Sequence, residues 1–405
     1  MQELLNDAAR RAIRYLAGLH HRGVAPDAAA LAGLAALDGP LPEQPGAPAE
    51  TLRLLDDFGS PAAMASAGGR FFGFVIGGAL PVTVASNWLA TAWDQNAALE
   101  GPAHAVSALE ATALRWLLDL LSLPPHCAGA FVTGATMANF SALAAARHAV
   151  LARVGWSVEA HGLFGAPPIT VVIGEEAHPT LAKSLGLLGL GRSRVLRVPV
   201  DGQGRTRPDR LPALAGPAIV CLQAGNVNTG AFDPFEDIIA RARDAGAWVH
   251  VDGAFGLWAS ASPELATQVA GMALADSWAT DAHKWLNVPY DSGLAFVRDA
   301  DALRAAMAIS ADYLPVGDAR NPSDFTPELS RRARGVDVWA ALKTLGRAGV
   351  AGMVERSCAQ ARRFAHELAE AGFEKPQRRG AEPGAGRPRR RRSDAAPDSR
   401  LAGGR

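Results

Sequence analysis

Two stretches decide how this chain is read: His250-Val251-Asp252-Gly253-Ala254, which closes an apolar run, and Ser277-Trp278-Ala279-Thr280-Asp281-Ala282-His283-Lys284-Trp285. The first has the form of a buried strand that ends by delivering a carboxylate, Asp252. The second leads to Lys284, which stands out by rarity. The sequence holds four lysines (Lys183, Lys284, Lys343, Lys375) among 40 basic residues, so arginine is preferred elsewhere. A surface cation can be either type, whereas a Schiff base needs a primary amine able to lose its proton, which guanidinium does not offer. A lone lysine is most often a solvated loop cation. One that follows a histidine and lies among Trp278, Ala282 and Trp285 reads instead as amine chemistry. Asp252 then has a matching task, since a carboxylate facing a pyridine nitrogen keeps it protonated and lets the ring accept electrons. Capping of the following turn, the plainer reading of Asp252, explains less.

Outward from these stretches the text alternates short β-rich runs (130–132, 169–173, 194–198, 218–222, 248–251, 294–297) with amphipathic ones such as 138–151 and 234–245. That rhythm predicts an α/β domain with a mostly parallel sheet covered on both faces. Sites in such sheets gather at the carboxyl ends of the strands, where Thr133, Asp252 and the loop before Lys284 can all sit. Helices are expected at 302–309, 336–345 and 354–371. The resulting division is an N-terminal helical segment (1–75), a large α/β domain (76–300), a partial C-terminal region (301–373) and an Arg-rich tail (374–405). The tail carries Arg389-Arg390-Arg391-Arg392 without apolar periodicity and reads as disordered.

With 405 residues, 49% of them hydrophobic and 20% charged, the chain can bury a large core. A formal net charge of zero removes any general electrostatic reason to bind nucleic acid or an anionic membrane. Cys127, Cys221 and Cys358 are far apart and lack metal-binding or disulfide-like spacing, which suggests reduced thiols, no metal site and a cytoplasmic location. Met1-Gln2-Glu3-Leu4-Leu5-Asn6-Asp7 has no basic region followed by an apolar run, so no secretory leader is expected. The most apolar window, 71–93, is interrupted by Gly73, Gly77, Gly78, Pro81 and Asn87, which argues against a bilayer span.

Further segments carry possible chemistry, each with a plainer reading beside it. Val132-Thr133-Gly134-Ala135-Thr136-Met137-Ala138-Asn139 marks a strand-to-helix junction whose backbone N–H groups suit a phosphate, although an ordinary N-cap would look the same. His178, in Ala177-His178-Pro179-Thr180, could cap or pack. Asn226 and Asn228, in Gly225-Asn226-Val227-Asn228-Thr229-Gly230, could form hydrogen bonds in a site or simply build a turn. Tyr313, one of three tyrosines, could act in a loop or pack its ring at a loop edge.

Taken together these residues resemble the pyridoxal-phosphate-dependent group II amino-acid decarboxylases, which include aromatic-amino-acid, glutamate and diaminobutyrate enzymes. The pairing of His250-Val251-Asp252 with His283-Lys284-Trp285 carries the resemblance, which extends from about Arg70 to about Gly372. It implies a fold type I large domain of the aspartate-aminotransferase kind, pyridoxal 5′-phosphate as cofactor, and decarboxylation of an L-amino acid to an amine and CO2. A homodimer with its sites at the subunit interface is also implied. By the same resemblance, Gly134, Ala135 and Thr136 hold the cofactor phosphate, and His178 lies on the ring and positions the substrate carboxylate. Asp252 faces the ring nitrogen, Ala254 and His283 are cofactor contacts, Lys284 forms the Schiff base, and Tyr313 supports protonation of the α-carbon. Asn226 and Val227 stand where the family usually has two threonines, leaving Asn226 as a contact near the phenolic oxygen. Met137 replaces an acidic or polar residue. Phe74-Val75-Ile76 replaces an aromatic run with proline, so the specificity of the aromatic-amino-acid enzymes does not transfer. The family's small C-terminal domain is expected to be largely missing, through truncation or a shifted reading frame; a basic tail evolved for anionic surfaces is the competing reading. The alternatives are another fold type I enzyme, either a carbon–carbon lyase or an aminotransferase, or an inactive truncated paralogue.

Overall fold

Seven strands form one sheet in the computed structural model, which describes residues 1–309 and 320–373. They are β1 (Ala128–Val132), β2 (Thr170–Gly174), β3 (Leu196–Val198), β4 (Ala218–Gln223), β5 (Trp248–Asp252), β6 (Ser277–Asp281) and β7 (Gly293–Val297), in the order β1-β7-β6-β5-β4-β2-β3. β7 runs antiparallel to both β1 and β6, and the remaining neighbours are parallel. The expected α/β architecture with a mostly parallel sheet is what the chain adopts.

The helices begin with α1 (Gln2–Gly18), α2 (Ala28–Gly33), α3 (Pro48–Leu54), α4 (Ser60–Ala62), α5 (Pro81–Trp93) and α6 (His104–Leu120). They continue with α7 (Ala135–Ala152), α8 (Val158–His161), α9 (Pro179–Leu187), α10 (Phe235–Asp244), α11 (Ala300–Met307) and α12 (Gly335–Glu370). Strand β4 shows why its sequence is an unbroken apolar run. Val220 and Leu222 enter a core shared with α6, α10 and α12, while Ile219 and Cys221 enter one shared with α7, α9 and α11. A strand buried on both faces has no polar side to show.

One element departs from the sequence reading. β6 was expected as loop, because Ser277-Trp278-Ala279-Thr280-Asp281 contains a single β-branched residue and no apolar run. It is nevertheless fully buried between β5 and β7, and its polar residues find partners there. The two helices expected at 336–345 and 354–371 are present: α12 is two helical stretches that meet at Gly346, whose φ of 59° lies in the left-handed region and interrupts the helix. α12 packs against α5 and α6 and so ties the end of the described chain to the large domain.

The segment before α5 reaches the loop that follows β6. Gly78 N–H donates to Asn287 Oδ1 at 3.0 Å, and Leu80 N–H donates to the Asn287 carbonyl at 2.9 Å. A Cβ at Gly77 would lie 2.0 Å from the Lys284 carbonyl oxygen, so only glycine allows this approach. Among the described residues no helix is long and apolar enough to cross a membrane. The three cysteines are free thiols, and burial pushes Cys127 up to about 11. Tyr313, assigned a role in α-carbon protonation by resemblance, and the Arg-rich tail lie outside the described residues.

Candidate active site

The site lies at the carboxyl edge of the sheet, where β5 and β6 end beside the start of α7. Side chains alternate along a strand, so Trp248, His250 and Asp252 share one face of β5, the face covered by α7. Asp252 is 5% exposed. Its Oδ2 accepts a hydrogen bond from Asn139 Nδ2 at 3.1 Å, and its Oδ1 accepts one from the Ala254 N–H at 3.2 Å. Burial pushes its carboxyl above the usual carboxylate range, and the Asn139 bond, Lys284, the Ala254 N–H and His178 pull it back. Lys284 and His178 thus both act electrostatically on Asp252, and Ala254 is a small neighbour of the carboxylate.

One turn beyond β6, Lys284 Nζ lies 3.1 Å from Asp281 Oδ2. The other oxygen of Asp281 accepts the Ala135 N–H at 2.6 Å, at the first turn of α7. His283 Nε2 stands 3.6 Å from the same carboxylate, its Nδ1 donates to the Ser292 carbonyl at 3.0 Å, and its ring lies 4.2 Å from that of Tyr290. Burial lowers the His283 pKa and Asp281 opposes that effect. Asp281 thus joins the lysine, the histidine and the helix start. Sequence reading passed over it because spacing alone cannot show that a strand-end carboxylate points at a helix more than a hundred residues earlier.

Gly134, Ala135 and Thr136 are placed as expected, at the N-terminus of the 18-residue α7. The helix start is held tightly against β7: a Cβ on Gly293 would lie 2.4 Å from Gly134 Cα. His178 caps α9, with Nδ1 2.7 Å from Thr180 Oγ1 and accepting the Thr180 N–H at 3.4 Å. It also lines a small cavity with Asp252, Gln223, Glu176 and Leu181, so the capping role and a place in the site coexist. A larger groove lies elsewhere, beside Arg205, Arg207 and Phe235.

Asn226, a cofactor contact by resemblance, also shapes its own turn. Its Oδ1 accepts the N–H groups of Asn228 and Thr229 at 2.9 and 3.2 Å, and its Nδ2 donates one hydrogen to Glu176 Oε2 at 2.9 Å. An amide nitrogen carries a second hydrogen, so these bonds leave one donor for a ligand. Gln223, which the sequence reading passed over, ends β4 in register with Asp252 and lines the same cavity.

Residues 64–377 match the family described as the pyridoxal-dependent decarboxylase conserved domain, more than three-quarters of the sequence. The chain belongs to that family. Among curated members of the pyridoxal-dependent decarboxylases, the aromatic-L-amino-acid decarboxylase of Bacillus atrophaeus is 29% identical over 298 residues, which cover 68% of this chain and 58% of the relative. An acidic amino acid decarboxylase of Bos taurus is 30% identical over 254 residues, covering 59% of this chain and 48% of the relative. The chain therefore spans about half the length of the relatives it matches. Solved structures agree in fold. The structure of Oryza sativa TDC with PLP and tryptamine has a TM-score of 0.83 at 24% identity, covering 91% of this chain and 79% of the other. Mouse CSAD in apo form gives 0.83 at 22%, with the same coverage.

The residues present fit pyridoxal phosphate, the cofactor of this decarboxylase family. A buried carboxylate stands ready for a ring nitrogen, an amine lies close by, and the start of α7 offers backbone N–H groups to a phosphate. Asp281 alone works against the fit, because its carboxylate takes the Ala135 N–H and adds negative charge where a phosphate would sit.

Proposed function

We propose that this chain decarboxylates an L-amino acid with pyridoxal 5′-phosphate held by Lys284. The observation that carries the reading is that buried Asp252, Lys284 and the start of α7 converge on one sheet edge. When bound, the cofactor supplies a ring that accepts electrons from the bond being broken. Asp252 holds a proton at the ring nitrogen. Lys284, whose primary amine can form a Schiff base with an aldehyde, would hold the cofactor through Nζ. Gly134, Ala135 and Thr136 orient the phosphate, with His283 at its side and Ala254 close to the ring. His178, at the start of α9, would lie beside the ring and orient the substrate carboxylate.

The substrate is a small-molecule amino acid, and the reading includes a cytoplasmic homodimer. Exposed Phe72, Phe74, Trp88, Leu89 and Trp93 around α5 support a partner surface. Tyr313 keeps its proposed role in protonation. The deciding experiment is an absorbance scan of purified protein for bound cofactor, followed by CO2 release across a panel of amino acids. A visible cofactor band with CO2 and amine from at least one amino acid is expected. Keto acid without CO2 would replace decarboxylation with amino transfer, and loss of all cofactor on gel filtration would contradict the reading.

A further inference from the structure

Asp252 is wholly buried, yet the proposed function requires it as a carboxylate. Behind it, between β5, β6 and α7, lies a file of polar side chains. Trp248 Nε1 donates to Ser277 Oγ at 2.9 Å, Ser277 Oγ is 2.9 Å from His250 Nδ1, His250 Nε2 is 2.8 Å from Asn139 Oδ1, and Asn139 Nδ2 is 3.1 Å from Asp252 Oδ2. His250, Asn139 and Ser277 are each fully shielded from solvent. Register explains the arrangement, since His250 pairs directly with Ser277 and the period of two puts Trp248 and Asp252 on the same face.

With Asp252 ionised, as the proposed function requires, the direction of every hydrogen in this file is fixed. An indole N–H can only donate, and a carboxylate can only accept. Asn139 therefore turns Nδ2 to Asp252 and Oδ1 to His250, so His250 carries its proton on Nε2. Burial holds the His250 pKa down to about 3, which leaves Nδ1 bare to accept the Ser277 hydroxyl. All four hydrogens point toward Asp252, and hydrogen bonds aligned head to tail polarise one another.

We propose that Ser277, His250 and Asn139 are positioning residues that keep Asp252 ionised and aimed at the ring nitrogen of bound pyridoxal phosphate. The inference rests on the function proposed above. The other groups acting on Asp252 are Lys284, the Ala254 N–H and His178, and the nearby Cys221 thiol is pushed up by burial, with Asp252 adding to it. Lys284 cannot stand in for the file, because its amine is engaged in holding the cofactor. Among the described residues, Asn139 is the one uncharged side chain that donates directly to Asp252.

The test is titration of the purified protein and its variants with pyridoxal phosphate, reading the dissociation constant and the absorption spectrum of the bound cofactor. Asn139→Ala is expected to weaken binding about tenfold, or 1.4 kcal/mol, and to shift the spectrum toward the form with an unprotonated ring nitrogen. His250→Leu is expected to do the same more weakly, about fivefold, and Ser277→Ala about twofold. His250→Gln, which keeps an N–H near the Nε2 position, is expected to restore both readouts toward the parent. A general packing defect would not distinguish Gln from Leu in the spectrum. If Asn139→Ala or His250→Leu fails to fold, Ser277→Ala decides, because it removes one hydroxyl; an unchanged spectrum there overturns the proposal. Equal spectra for the Gln and Leu variants would also overturn it. A parent protein that binds no pyridoxal phosphate would defeat the functional reading itself, whereas a parent that binds, with variants that match it, defeats only the relay.

Discussion

The two ends of the site are built differently. At the Asp252 end each polar side chain is bonded on both sides along one line: Asn139, His250 and Ser277 are locked between sheet and helix before any ligand arrives. At the Lys284 end the groups a cofactor needs are engaged with each other, the amine and the Ala135 N–H both held by Asp281. One end is finished; the other must exchange partners on loading. Preorganised dipoles belong where charge is stabilised during reaction, and exchangeable contacts belong where a group must enter and leave.

Removing the amine gives the largest expected break in that contrast. Lys284→Ala should abolish covalent capture of the cofactor, read as loss of its visible absorption band, while leaving the thermal midpoint close to that of the parent; a retained band would mean that another lysine does the work. Asp252→Asn should lower CO2 release by about 10²–10³-fold with the cofactor still attached, because a neutral amide no longer holds a proton at the ring nitrogen. A loss confined to KM would instead make Asp252 a simple binding contact.

Acid stability sharpens the description of the finished end. Burial depresses His250 to about 3, below its ordinary 6.5, so the unfolded chain takes up this proton first. Stability from neutral His250 is therefore complete above pH 6.5 and lost as pH falls toward 3. Asp252, raised by burial, works in the opposite direction, and comparison with His250→Gln cancels it. Between pH 6.5 and 4.5 the parent should lose about 2–3 kcal/mol more than the Gln variant in urea unfolding. Parallel curves would show that His250 is not held neutral. At the exchangeable end the effect is smallest: Asp281→Asn should tighten cofactor binding about threefold, by removing a negative charge beside the phosphate site, and weaker binding would show that the carboxylate helps loading.

Much of this contrast could be read from the sequence, and the residues explain the limits. Strands β4, β5 and β7 announce themselves because burial on both faces demands continuous apolar runs. Asp252 and Lys284 were legible as a carboxylate in an apolar run and as a rare amine, and Gly134 to Thr136 as a strand-to-helix junction. β6 was hidden because its Ser, Thr and Asp residues look like loop until their partners Trp248, His250 and Ala135 are in place. The file behind Asp252 was hidden for the same reason: Asn139 and His250 are 111 residues apart, and only the packing of α7 on the sheet brings them together. The turn that Asn226 Oδ1 builds was hidden too, because an amide at a family position says nothing about which backbone groups already hold it.

The most direct measurement is reduction of the purified protein with borohydride in the presence of pyridoxal phosphate, followed by mass mapping of the labelled peptide. With four lysines in the chain the outcome is unambiguous. A phosphopyridoxyl group on Lys284 alone is the expected result. Label on Lys183, Lys343 or Lys375 with Lys284 unmodified would contradict the assignment on which the whole site is built.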